Sequence, residues 1–267
     1  MFKKIEFLGF IAVLVIFTSS CSDYQKALKS EDVKIKYDMA ESLYNEGKYT
    51  KANRLFEQIM PKYAGKPQGE RVVYMYADAA YKDEDYYLAA YQFERFATSY
   101  PRSQKAQEAA FYSAKSSYML SPKYSIDQTD TYEALDKLQN FINNYPDSEW
   151  LPEANEMVQE LTLKIERKEL EIAKNYSKTF HYKASIKSID NFLVDYPGSE
   201  LKEEALYVRL NASYELAINS YEYLVKDRLL QAQEAYQELI EDYPNTQFSE
   251  EATEINESIE KELSKRS

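Results

Sequence analysis

Apolar residues recur along this chain at helical spacing, and they recur in copies. Ala89, Phe93 and Phe96 are separated by four and three residues; the same pattern returns as Ala134, Leu138, Phe141, as Ser185, Ile189, Phe192 and as Ala232, Tyr236, Leu239. An earlier copy is Ala52, Phe56, Ile59. Such offsets place each trio on one face of a helix, so each marks a buried stripe. A second pattern marks another set of helices. Tyr37, Ala40, Leu43, Tyr44 recur as Tyr74, Ala77, Ala80, Tyr81 and as Phe111, Ala114, Ser117, Tyr118, at a constant interval of 37 residues. Seven residues are almost two helical turns, so each outer aromatic pair shares a face, and the small residues between let helices approach closely. Weaker versions are Leu170, Ala173, Tyr176, Ser177 and Tyr207, Leu210, Ser213, Tyr214.

The helices are punctuated by Tyr-Pro-x-Ser/Thr, at Tyr100–Ser103, Tyr145–Ser148, Tyr196–Ser199 and Tyr243–Thr246, with Glu-Ala following at Glu108-Ala109, Glu153-Ala154, Glu204-Ala205 and Glu251-Ala252. Proline ends or redirects one helix, and the Ser or Thr after it can accept a backbone N–H and begin the next. Each repeat is therefore a pair of antiparallel helices that cannot cover its own apolar face and must stack on its neighbours.

This pattern resembles the tetratricopeptide repeat, with a small residue in each helix, a Tyr opening the second helix and a Pro at the end. Tyr49, Tyr86 and Tyr182 fall at the opening position, which Thr131 and Leu229 take in the third and fifth repeats. The expected fold is all-α, a right-handed solenoid of about five tetratricopeptide-like helix pairs with a C-terminal capping helix. Its parts are a leader (1–20), a linker (21–34), repeats over 35–68, 69–101, 102–147, 148–198 and 199–245, and a cap (246–267). Residues 121–130 read as a loop inserted in the third repeat.

Composition narrows the chemistry. The 267 residues include 26 Tyr and 12 Phe but only 5 Gly, 1 His, 1 Cys and 1 Trp. The glycines form neither phosphate-cradling motif. One imidazole and one thiol exclude a Cys- or His-rich zinc site and a disulfide framework. No cofactor and no metal is expected. A formal charge of −12, with no clustered Lys and Arg, argues against nucleic acid.

The first twenty residues form a separate signal. Lys3 and Lys4 precede a short apolar run from Phe7 to Phe17, too short to span a bilayer as a mature helix. Thr18, Ser19 and Ser20 then lead into Cys21, an arrangement that resembles a bacterial lipoprotein cleavage box. The expectation is a cleaved leader and an acylated Cys21 that anchors the chain; a plain free thiol is the alternative. Loss of residues 1–20 removes Lys3, Lys4 and Glu6 and moves the charge from −12 to −13.

In an array of this kind the first helices line the concave face. Tyr37, Tyr44, Tyr74, Tyr81, Phe111 and Tyr118 are therefore candidates for a peptide-binding groove, and the resemblance to the tetratricopeptide superfamily, which places ligand contacts at equivalent positions, implies Glu41, Asn45, Asp78 and Lys82 beside them. A tyrosine-lined groove offers apolar area and hydroxyls to an extended peptide. Packing between repeats is the other reading of the six rings. Trp150 reads as packing on the preceding repeat and His181 as a surface or packing residue. Adjacent acids such as Glu203-Glu204 read as solvated faces, and no enzyme activity is expected.

The leader, the five repeats, the insertion ending Asp127-Gln128-Thr129-Asp130 and the run from Lys168 to Tyr176 together resemble the BamD family, the lipoprotein subunit of the outer-membrane β-barrel assembly machine. The resemblance implies a lipid-anchored scaffold on the periplasmic face of the bacterial outer membrane. Its N-terminal repeats would receive unfolded outer-membrane proteins, often through an aromatic-ended C-terminal strand, and its C-terminal repeats would dock on the barrel-forming subunit. Other readings are a different tetratricopeptide lipoprotein coordinating envelope assembly, or a nutrient-binding outer-membrane lipoprotein, which the single Trp disfavours.

Overall fold

The computed structural model describes residues 23–63, 66 and 69–266, and among them the chain forms twelve helices and no strand. These are α1 (residues 23–29), α2 (Val33–Asn45), α3 (Tyr49–Tyr63), α4 (Gly69–Lys82), α5 (Tyr86–Ser99), α6 (Ala106–Leu120), α7 (Thr129–Asn144), α8 (Leu151–Lys178), α9 (Tyr182–Asp195), α10 (Lys202–Ile218), α11 (Glu222–Asp242) and α12 (Ser249–Ser264). They group into two compact units. One contains residues up to 122 together with 129–158; the other contains 123–128 and the chain from 159 onward.

In the first unit each of α2 to α6 packs on the next helix in sequence; in the second, each of α9 to α11 does the same. This is the contact pattern of a tetratricopeptide-like solenoid, in which each pair is covered by its neighbours. The predicted stripes are the core. All fifteen second-helix positions are buried except Tyr236, which is half-buried. Ser185, at the small position of the fourth pair, is fully buried and donates to the Ala173 carbonyl at 2.8 Å, so the hydroxyl is satisfied.

The junctions repeat as closely as the stripes. At each Tyr-Pro the tyrosine N–H donates to the carbonyl four residues back (Phe96, Phe141, Phe192, Leu239), at 2.9 Å in every case. The tyrosine ring then lies 5.3–5.4 Å from the ring of Phe96, Phe141 or Phe192. The following Ser or Thr oxygen accepts the N–H two residues on, from Lys105, Trp150, Leu201 and Phe248. That residue does not cap the next helix directly. A turn intervenes, and α6, α8, α10 and α12 start three residues after it.

Three sequence expectations need correction, and one repeat owes its length to a longer helix. Residues 23–29, expected within a linker, are helical, because Tyr24, Ala27 and Leu28 have helical spacing and pack with Ala52, Leu55 and Phe56. The inserted loop ends at Gln128, since Thr129 and Asp130 already belong to α7. Thr131 and Leu229 do not open their helices: α7 starts at Thr129, and α11 starts two turns ahead of Leu229, with Val225 and Leu229 buried as an i, i+4 pair. The long interval of the fourth repeat is an extended helix: α8 has 28 residues against 15 in α6.

Candidate functional site

The first helices α2, α4 and α6 carry the tyrosine pairs, and in the first unit their polar ends are bonded to one another. Tyr44 lies half-buried on α2, its ring edge-on to Tyr49 at 5.7 Å. Its hydroxyl bonds to the Asp78 carboxylate on α4 and accepts from Lys82 Nζ at 3.0 Å. Lys82 also pairs with Asp78 at 2.7 Å and sits 4.9 Å from the centre of the Tyr44 ring. Three of the candidates thus form one cluster. Burial and the Asp78 bond raise the Tyr44 phenol. Burial alone would lower Lys82, but its bonds to Asp78 and Tyr44 outweigh that and raise it.

The same device recurs nearby. Tyr37 donates to Glu41 at 3.2 Å, and Arg71 of α4 reaches the same carboxylate. Tyr74 donates to Glu108 of α6 at 2.6 Å; Lys105 pairs with Glu108 and lies 5.1 Å from the Tyr74 ring centre. Burial, followed by the Glu108 bond, pushes the Tyr74 phenol far upward. Tyr81 is half-buried between Tyr86 and Tyr112, and Lys115 bonds Glu153 at 2.7 Å. Each shift leads away from neutrality, so at pH 7 the phenols remain donors and the lysines remain charged.

Most of the ten candidates keep an edge at the surface. Asn45 and Lys82 are exposed; Tyr37, Glu41, Tyr44, Tyr74, Asp78, Tyr81 and Tyr118 are half-buried. Phe111 is a correction. At 1% exposure it packs against Phe141 and stacks on Trp150 at 5.6 Å, so it belongs to the core. That contact also fixes Trp150 as a packing residue. His181 is exposed, its Nδ1 3.1 Å from the Thr179 hydroxyl.

Sequence reasoning missed the acidic partners, although the signal was present. Glu108, Glu153 and Glu204 are the glutamates of the repeated Glu-Ala. Each accepts a bond from the preceding first helix: from Tyr74, from Lys115, and from Arg167 and Lys174 at 2.8 Å. The alanine beside each is fully buried, so the pair sets one residue into the core and the other at the seam between repeats.

The order of these elements has a counterpart in known sequences. A family model described as outer membrane lipoprotein, YfiO, matches residues 29–228 and 188–267. The chain belongs to the YfiO family of outer membrane lipoproteins. Like that family, it is associated with the outer membrane through a lipid anchor, and among the described residues no helix is long and apolar enough to cross a membrane. The chain is similar to the outer membrane protein assembly factor BamD of Pasteurella multocida (strain Pm70), 22% identical over 227 residues that cover 81% of this chain and 87% of that protein. A designed self-assembling cyclic homo-oligomer aligns over 95% of this chain and 94% of its own, at 15% identity and a TM-score of 0.21, too low to argue from. The leader and Cys21, where a YfiO-family lipoprotein would be processed, lie outside the described residues.

Proposed function

We propose that this protein is a periplasmic scaffold for outer-membrane protein assembly, held to the membrane by an acylated Cys21. The family match across residues 29–267, taken with the similarity to an outer membrane protein assembly factor, carries this reading. Cys21 is the one cysteine in the sequence, so a lipid on a cysteine has no other place to go. The N-terminal repeats receive unfolded β-barrel proteins, and the C-terminal repeats dock on the barrel-forming subunit.

The seam of α2 and α4 supports the first of these roles. The exposed Asn45 and Lys82, the rim carboxylates Glu41 and Asp78, and the edges of Tyr37, Tyr44, Tyr74 and Tyr81 offer donors, acceptors and apolar area in alternation, which suits an extended peptide. The role proposed is that of a scaffold and not of a catalyst, in keeping with the match to a family of outer membrane lipoproteins.

Depletion in the native cell followed by a survey of the outer membrane tests the proposal. Many β-barrel proteins should fall together, and a barrel subunit with periplasmic domains should copurify with this chain. An intact barrel population under depletion would overturn it.

A further inference from the structure

A cleft of about 530 Å³ opens between α1 and the start of α3, lined by Tyr24, Gln25, Lys48, Thr50, Lys51 and Arg54. Three cations and no carboxylate line it, in a chain whose net charge is −12. Lys48 is paired with Glu46 at 2.6 Å, and the Thr50 hydroxyl is given to Asp83 at 2.8 Å. Lys51 and Arg54 have no carboxylate partner among the described residues, and Lys51 instead sits 5.5 Å from the centre of the Tyr24 ring. The first turn of α3 carries no acid to answer the positive end of the helix. Tyr24 is only 5% exposed, and its buried hydroxyl has no hydrogen-bond partner. Two cations without carboxylate partners therefore stand in the cleft, one of them beside an aromatic ring.

The place of the cleft in the chain decides what fills it. Tyr24 is three residues from Cys21, and three residues span at most about 11 Å. The polar layer of a bilayer leaflet is itself about 5–8 Å deep. We propose that this cleft binds the phosphate of an anionic lipid headgroup in the membrane that holds the anchor, with Lys51 and Arg54 facing the phosphate. The proposal rests on Cys21 being the anchor. Headgroup binding so close to the acylated residue would fix how the first repeat meets the membrane, which an acyl chain alone does not do.

The test uses the purified acylated chain in neutral detergent, titrated with dihexanoyl-phosphatidylglycerol, with dihexanoyl-phosphatidylcholine and with inorganic phosphate, and read by amide hydrogen exchange. Phosphatidylglycerol should slow exchange in residues 23–29 and 48–54. Lys51→Gln with Arg54→Gln, both exposed positions, should raise the half-saturating concentration about tenfold or more, since each cation near an anionic surface contributes about 1 kcal/mol. Lys51→Arg with Arg54→Lys should retain binding and controls for folding. Absence of protection, undiminished protection in the Gln variant, or equal binding of phosphatidylcholine or free phosphate would each overturn the proposal. Mass spectrometry of the Cys21 peptide in the same sample tests the anchor separately, so an acylated chain that ignores phosphatidylglycerol condemns the cleft alone.

Discussion

Ser199 shows how much one hydroxyl can carry. Its oxygen accepts the Leu201 N–H at 3.0 Å and donates to Glu166 at 2.6 Å, a carboxylate only 8% exposed. Ser103 bonds Glu70 in the first turn of α4 and Thr246 bonds Glu203 in the first turn of α10, while Glu166 lies midway along α8, so each bond ties the turn after a helix pair back to the first helix of that pair. Ser199→Ala leaves the buried Glu166 short of a donor and should lower unfolding free energy by about 1–3 kcal/mol in urea. The Ser148 hydroxyl accepts only the Trp150 N–H among its described bonds, so Ser148→Ala should cost less; equal losses would refute the double role. Tyr76 makes a second residue-scale prediction. Burial, with Glu57 and Asp85 nearby, pushes its phenol from 10 up to about 12. Between those values the unfolded chain releases the proton while the folded protein keeps it. The Tyr76 contribution is therefore complete below pH 10 and is lost as pH rises towards about 12. Tyr76→Phe should flatten that part of the alkaline decline in the urea midpoint. The existence of the Tyr-Pro-x-Ser motif was plain in the sequence. Its bond to a glutamate on the first helix of the same pair was not, because that partner stands 33 residues away in two of the three cases and can be matched only once the helices are side by side.

Between the two helices of a pair the backbone makes one recurrent turn. Gly47, Glu84 and Phe180 stand two residues before Tyr49, Tyr86 and Tyr182, and all three have positive φ, at 74°, 61° and 62°. The N–H after each reaches back five residues, from Lys48 to Leu43, Asp85 to Ala80 and His181 to Tyr176, at 2.8–3.0 Å. This is the left-handed cap that closes an α-helix, a conformation suited to glycine and strained for other residues. Glu84→Gly should therefore raise thermal stability, by about 0.5–1 kcal/mol once the added freedom of the unfolded chain is counted. Gly47→Ala should lower it by about 1 kcal/mol even though open space surrounds the missing Cβ. If calorimetry gave the same sign for both, the shared turn would not be the cause. Only one of the three positions announces itself in the sequence, since Glu84 and Phe180 adopt the turn under the constraint of the packed helices on either side.

Across the chain as a whole, the proposed anchor and the repeats should prove separable. Cys21→Ala should shift the protein from the membrane pellet to the soluble fraction while circular dichroism keeps its helical signal, because α1 begins beyond Cys21 and its core contacts are to α3. Retention in the pellet would contradict the anchor. What the sequence determined by itself was the helical repeat, the stripes that become core and the residues that end each helix; these are local matters of period and backbone preference, carried by neighbours three or four positions apart. Only the tertiary structure decided that Phe111 is core while Tyr44 keeps a surface edge, that the Glu-Ala glutamates take the tyrosine and lysine donors, and that Tyr24 closes a basic cleft. Each of those depends on the separation of side chains on different helices, which periodicity leaves free and close packing fixes.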